Sequence, residues 1–258
     1  MRTQTISAFV LAVGIAAESA NGYPGEYGPF PPDAVPKPFP LEALVAIEPA
    51  DADSNGVRHA LTPYPRQLDS PTIHVNRDNE NWSWMVFVEH GRHTWGPRLV
   101  SENLHFHGSW RADLNQDDRV DFVLRFWTGG CGLAALSGEF VLLLSAGDAY
   151  HVASWPTWSP GPEDFVDLSA KGICFVIHTD FVYGEPGRDG KLHNYWVYHL
   201  LEVQGSRLKP STADQRFPKW IWYTFNPNHS AKTQLTEAQK LRLWKEQGTD
   251  FDRLLNVR

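Results

Sequence analysis

The chain has 258 residues with 23 Lys+Arg against 30 Asp+Glu, a net charge of −7, and a composition that is 42% hydrophobic. A mildly acidic chain without a basic cluster excludes a nucleic-acid binder as the working assumption, and the apolar content is that of a folded domain rather than a disordered tail. Eleven Trp require either a core built on large aromatics or an aromatic binding face.

At the N-terminus, Arg2 precedes the uncharged run Ile6 to Ala17, and Ala17 and Ser19 supply small residues in the pattern of a cleavage site. The first nineteen residues therefore read as a secretory signal peptide, cut after Ser19. The run stops at Glu18, short of the ~20 apolar residues a membrane-spanning helix needs. A secreted or periplasmic location is expected, with no membrane segment once the signal is removed.

From residue 20 to 81 the chain reads as an arm and loops. Gly22 to Pro40 is dense in Pro and Gly, which disfavours helix and ladder pairing alike. Ala50 to Asn81 stays rich in Asp, Asn and Pro, with one short strand expected near Ile73 to Val75. Within it, Asp51 to His59 carries half of a metal-loop pattern and reads as an ordinary turn.

A β-rich domain is expected over 82–258, because short aromatic and β-branched runs alternate there with turn residues. The runs are Trp84–Val88, Leu104–His107, Val120–Trp127, Phe140–Leu144, Tyr150–Trp155, Ile173–Tyr183, Tyr195–Val203 and Lys219–Phe225. Period-two alternation puts Ile173, Phe175, Ile177, Phe181 and Tyr183 on one strand face, with His178 and Asp180 on the other. Asp189-Gly190 predicts a turn that makes the two longest runs a hairpin. Thr236 and Gln239 match a helix capping box ahead of a C-terminal helix over about 237–246. The fold class is thus mainly β, an antiparallel sandwich or single blade-like sheets, with one terminal helix.

Asp113-Leu114-Asn115-Gln116-Asp117-Asp118-Arg119-Val120-Asp121 places side-chain oxygens at positions one, three, five and nine, with the Arg119 carbonyl at seven. Calcium takes six to eight oxygens at ~2.3 to 2.6 Å, and a tight loop presents alternate residues inward at this spacing. Val120, at position eight, is the apolar residue expected to dock on the core. The segment resembles the calcium loops of EF-hand proteins, and more closely those of dockerins and of FG-GAP repeats in integrin-type propellers. That resemblance, which covers this loop alone, implies calcium held by Asp113, Asn115, Asp117, Arg119 and Asp121. It also implies that the loop leads into a strand. Asp118 stands where such loops carry Gly, and Leu124 where an EF-hand carries its last Glu.

Four further groups stay open. Cys131 and Cys174 are expected to form a disulfide after export, worth roughly 4 kcal/mol in the chain-entropy model, the alternative being two buried thiols. His105 and His107, two apart on a strand, have the spacing of a transition-metal site; with a third ligand from His178, Asp180 or His193 they would make a secreted metal-dependent hydrolase. Trp155 with Trp158, or Trp220 with Trp222, could form a carbohydrate-binding platform, core packing being the competing use. The function expected from the sequence is therefore an exported calcium-binding domain, binding or structural, whose partner is a carbohydrate or another surface protein.

Overall fold

The computed structural model describes residues 29–30, 35–44, 58–61, 71–78, 83–100, 104–128, 136–169, 171–186 and 192–222. The expected signal peptide, most of the Asp51 to His59 loop, the Asp189-Gly190 turn and the C-terminal helix lie outside these residues. Among the described residues there are fifteen strands: β1 (Lys37–Pro38), β2 (Glu42–Ala43), β3 (Arg58–Leu61), β4 (Thr72–Asp78), β5 (Ser83–His90), β6 (His93–Val100), β7 (His105–Ala112), β8 (Asp121–Trp127), β9 (Ser137–Ala146), β10 (Ala149–Trp158), β11 (Phe165–Asp167), β12 (Phe175–Pro186), β13 (Leu192–Gln204), β14 (Arg207–Pro210) and β15 (Lys219–Trp222). A 3-10 turn at Pro162–Asp164 precedes β11. The mainly β expectation holds. Among the described residues no helix is long and apolar enough to cross a membrane.

Three antiparallel sheets result, with orders β10-β9-β8-β7-β2, β3-β4-β5-β6 and β1-β11-β12-β13-β14, with β15 also on β13. Among the described residues they close into neither a barrel nor a propeller. The five-stranded sheet is apolar on both faces. Phe122, Leu124, Phe126, Val141 and Leu143 pack with Ile73, Val75, Trp84, Val86 and Val88 of the four-stranded sheet. The alternate residues Val123, Phe140, Leu142 and Leu144 pack with Phe165, Cys174, Val176 and Val203 of the six-stranded sheet. A strand covered on both sides reads as a continuous apolar run, which is why Phe140 to Leu144 shows no alternation.

β12 keeps the expected alternation because its two faces meet different surroundings. Phe175, Ile177 and Phe181 join one cluster with Trp196, Tyr198 and Leu200, while His178 and Asp180 turn to the other side. β12 and β13 pair from Phe175↔Glu202 to Pro186↔Leu192, with an irregularity between Val182 and Glu185.

Strand pairing runs across residue 81, where the sequence placed a boundary between arm and domain. β3 and β4 pair with each other and β4 with β5, and the short β1 and β2 add to β11 and β7. Pro-rich flanks confine β1 and β2 to sheet edges, where a missing N–H is tolerated.

The disulfide expectation is corrected. Cys174 carries a free, buried thiol, and no bridge to Cys131 is formed; Cys131 lies outside the described residues. The Cys174 side chain belongs to the apolar cluster between two sheets with Phe140, Phe165 and Val176, where it serves as a small apolar group.

Candidate functional site: the Asp113 to Asp121 loop

The loop joins two paired strands, since Ala112 at the end of β7 lies opposite Asp121 at the start of β8. It leads into a strand as the resemblance implied. Its apolar peg differs from the expected one: Val120 is 37% exposed, whereas Leu114 is 1% exposed within the cluster between the five- and six-stranded sheets. Burying a Leu side chain contributes about 2 kcal/mol, so position two rather than position eight fixes the loop to the core.

Above that peg the acidic side chains collect main-chain donors. The Asp113 carboxylate accepts the N–H of Asp117 at 3.1 Å and of Asp118 at 3.0 Å. Asn115 Oδ1 accepts Asp117 N–H at 3.2 Å, and Asp117 Oδ1 accepts Arg119 N–H at 3.0 Å. Gln116 and Asp118 both have φ of 61°. Asp118 therefore takes a left-handed turn of the kind glycine makes freely, at a cost of ~1 kcal/mol.

Asp121 lies underneath, wholly buried. Its Oδ2 accepts the N–H of Leu114 at 2.7 Å and of Asn115 at 3.3 Å, and its Oδ1 accepts the N–H of Ser145 at 2.6 Å. Burial pushes its carboxyl up to about 6, against the lowering effect of hydrogen bonds from Ser145, Leu114 and Asn115. None of those opposing groups is a cation.

Ser145, at the end of β9, was not expected from the sequence to take part. Its Oγ lies 3.0 Å from Asp117 Oδ1, 3.0 Å from Asp117 Oδ2 and 2.8 Å from Asp121 Oδ1. A hydroxyl has one hydrogen to donate. That hydrogen serves one carboxylate, Asp117 or Asp121, so the contact with the other sets oxygen lone pairs against each other. Asn115 Nδ2 donates to the Ser145 carbonyl at 2.9 Å, tying the loop to the same residue. The one signal in the sequence was a hydroxyl closing an otherwise apolar run just before the Gly147 turn, which has φ of 59°.

Two neighbouring segments brace the loop. Arg119 approaches Asp148 at 3.5 Å on the surface, and Gln116 Nε2 donates to the Lys171 carbonyl at 3.1 Å. The turn at Lys171 copies the loop's logic: Asp167 accepts N–H groups from Ser169 at 3.1 Å and Gly172 at 2.9 Å. Gly172 there has φ of 77°. Lysine stands in that turn four residues after the first Asp, where the longer loop has Asp117.

The other candidates do not assemble. His107 lies within a register shift of β7, between Phe106 and Gly108, while His105 lies opposite Trp127 just before it. Both are exposed, and the His107 ring lies 5.3 Å from that of Trp127. Burial and then the charges of Arg125 and His105 lower the His107 pKa. His178 and Asp180 sit in the six-stranded sheet, engaged with His199, and the His193 side chain lies outside the described residues. Among the described residues, no group of three or more His, Cys, Asp or Glu side chains surrounds a common point as a ready metal cage.

Of the two uses open to the tryptophans, packing against other aromatic rings is the one seen where they are described, with Trp155 buried and Trp158 and Trp220 half-buried. Trp155 is buried against Phe140 with ring centroids 5.5 Å apart. Trp158 lies 5.7 Å from both Phe181 and Trp196, and Trp220 lies 5.6 Å from Tyr195. The Trp222 side chain is outside the described residues.

Comparison with protein families, curated proteins and solved structures finds no match to this chain.

Proposed function

We propose that this is an exported domain of stacked, sandwich-like sheets that binds calcium in the Asp113 to Asp121 loop, and that its role is binding or structural rather than catalytic. The side chains of Asp113, Asn115, Asp117 and Asp121, with the main-chain oxygen of Arg119, would hold the ion. All are hard oxygen donors of the kind calcium takes. The observation that carries the reading is the Ser145 hydroxyl, whose one hydrogen faces three carboxylate oxygens within 3.0 Å. A cation beside Asp117 and Asp121 relieves that shortage of positive charge.

Hydrogen bonds from the loop's own N–H groups hold Asp113, Asn115 and Asp117 in place before any ion arrives, which supports the same reading. The protein's contribution is to orient these oxygens and exclude water beneath them; the ion supplies the charge that binds the two ends of the loop together.

Thermal unfolding in millimolar calcium and in chelator tests the proposal. With a dissociation constant near ~10 μM, millimolar calcium adds roughly 2.7 kcal/mol of stability. That corresponds to about 5 to 10 °C in melting temperature for a chain of this size. Asp113→Ala should remove the increment. Superimposable curves for the unmodified chain in the two buffers would reject the calcium reading.

A further inference from the structure

The face of the six-stranded sheet that carries Cys174 and Val176 also carries a second cluster, independent of the calcium loop. His178 of β12 and His199 of β13 are directly opposite each other in the ladder, and Asp180 follows two residues after His178 on the same side. The imidazole rings lie 5.6 Å apart and 33° from parallel. His178 Nε2 is 3.4 Å from Asp180 Oδ1, and His199 Nε2 is 3.2 Å from Asp180 Oδ2.

We propose that His178, Asp180 and His199 form a binding site for a divalent transition-metal ion of the zinc class. Two imidazole nitrogens and one carboxylate are the ligand set such ions prefer, with a fourth position left to water. The spacing supports an ion more than a settled hydrogen-bond pair. Charge-assisted N–H···O bonds close to ~2.7–2.9 Å, and both contacts here are longer. Tetrahedral bonds of ~2.0–2.1 Å hold neighbouring ligand atoms ~3.3–3.4 Å apart; the separations from the Asp180 carboxylate are 3.4 Å for His178 and 3.2 Å for His199, each to a different oxygen.

The His178 ring supplies the second argument. Its Nε2 is buried and makes no well-formed hydrogen bond, its one carboxylate neighbour being Asp180 Oδ1 at 3.4 Å. A polar ring nitrogen withheld from water without a partner costs ~1–3 kcal/mol, and a metal bond at that atom removes the cost. His199 and Asp180 are 40% and 44% exposed, which opens a path for an ion and a water ligand. As placed, the three groups hold one another and do not yet surround a point. Metal entry exchanges the imidazole–carboxylate contacts for bonds to the ion, and any proton on either Nε2 leaves to solvent.

Zinc titration of the untagged exported chain by calorimetry, paired with cobalt substitution followed by visible absorption, tests the site. One zinc ion per chain is expected, and one equivalent of cobalt should develop the intense bands of a four-coordinate ion. His178→Gln and His199→Gln should each weaken binding at least tenfold and abolish those bands, while melting curves confirm that both variants fold. Asp113→Ala and His105→Ala should leave zinc binding unchanged, separating this site from the calcium loop and from the β7 histidines. No saturable zinc uptake by the unmodified chain, or uptake that survives both glutamine substitutions, would overturn the proposal.

Discussion

Ser145 meets Asp121 through both of its donors, the main-chain N–H at 2.6 Å and the hydroxyl at 2.8 Å, both on Oδ1. The pair joins the start of β8 to the end of β9 beneath the loop. Ser145→Ala keeps the first contact and deletes the second. A hydrogen bond to a buried charged group is worth about 1.5–3 kcal/mol, so chemical denaturation in chelator should show a loss in that range. In saturating calcium the loss should be smaller, because the ion takes over the neutralisation of Asp117 and Asp121. An equal loss in both conditions would separate the serine from the ion.

Asp118 is exposed and its backbone sits at φ of 61°. Asp118→Gly relieves the left-handed strain without removing the N–H that Asp113 accepts. A gain of up to about 1 kcal/mol is expected, reduced by the extra freedom glycine brings to the unfolded chain. Calcium binding should be retained. Denaturation midpoints of the two chains in chelator decide the sign.

Asp121 sets a pH dependence whose direction follows from its environment. Burial raises its carboxyl in the folded chain to about 6, above the ~3.9 of an unfolded aspartate. Between those values the folded state holds the proton more tightly, so the contribution of Asp121 to stability increases as the pH falls from about 6 toward 4 and is lost again as the pH rises. With calcium bound, protons compete with the ion and the trend reverses. Melting temperatures measured over pH 4.5 to 7.5, with and without calcium, should therefore converge on the acid side. A calcium increment that grows toward low pH would contradict this account.

The Cys174 thiol should be inert in the native protein. It is buried between two sheets, and burial pushes its pKa up well above the ordinary thiol range, with the charges of Asp121 and Asp167 adding to the effect. Thiolate is the reactive form. Alkylation should be negligible under native conditions, even at mildly alkaline pH, and complete at Cys174 once the chain is unfolded without reductant. Mass mapping of the labelled peptide reads both states.

Strands with one consistent partner on each face were legible from residue pattern. β12 is the clearest instance, since Phe175, Ile177 and Phe181 sit in one cluster while His178 and Asp180 face away. The turn was legible too, since the loop from Asp113 to Asp121 leads into β8 as the residue pattern implied. Burial of Leu114 rather than Val120 was not, as it depends on where the six-stranded sheet lies. Ser145 and His199 were invisible for a related reason: each acts across strands, thirty residues from Asn115 in one case and opposite His178 in the other. β3 was hidden in a Pro- and Asp-rich stretch whose pairing with β4 is set by the apolar face of the five-stranded sheet beneath.

Thr157 and Thr179 share a contact with wider meaning. The Thr157 hydroxyl accepts the Thr179 N–H at 3.1 Å and donates to the Thr179 carbonyl at 3.3 Å. β11 pairs with β12 only at Phe175 and Val176, so beyond that point the strand's outer edge would present unpaired main-chain groups to any passing chain. One side chain of β10 satisfies a donor and an acceptor there, doing the work of a missing strand. An open edge is a template for intermolecular pairing; here Thr157 and Thr179 are both buried, so the threonine pair closes the edge inside the seam between two sheets.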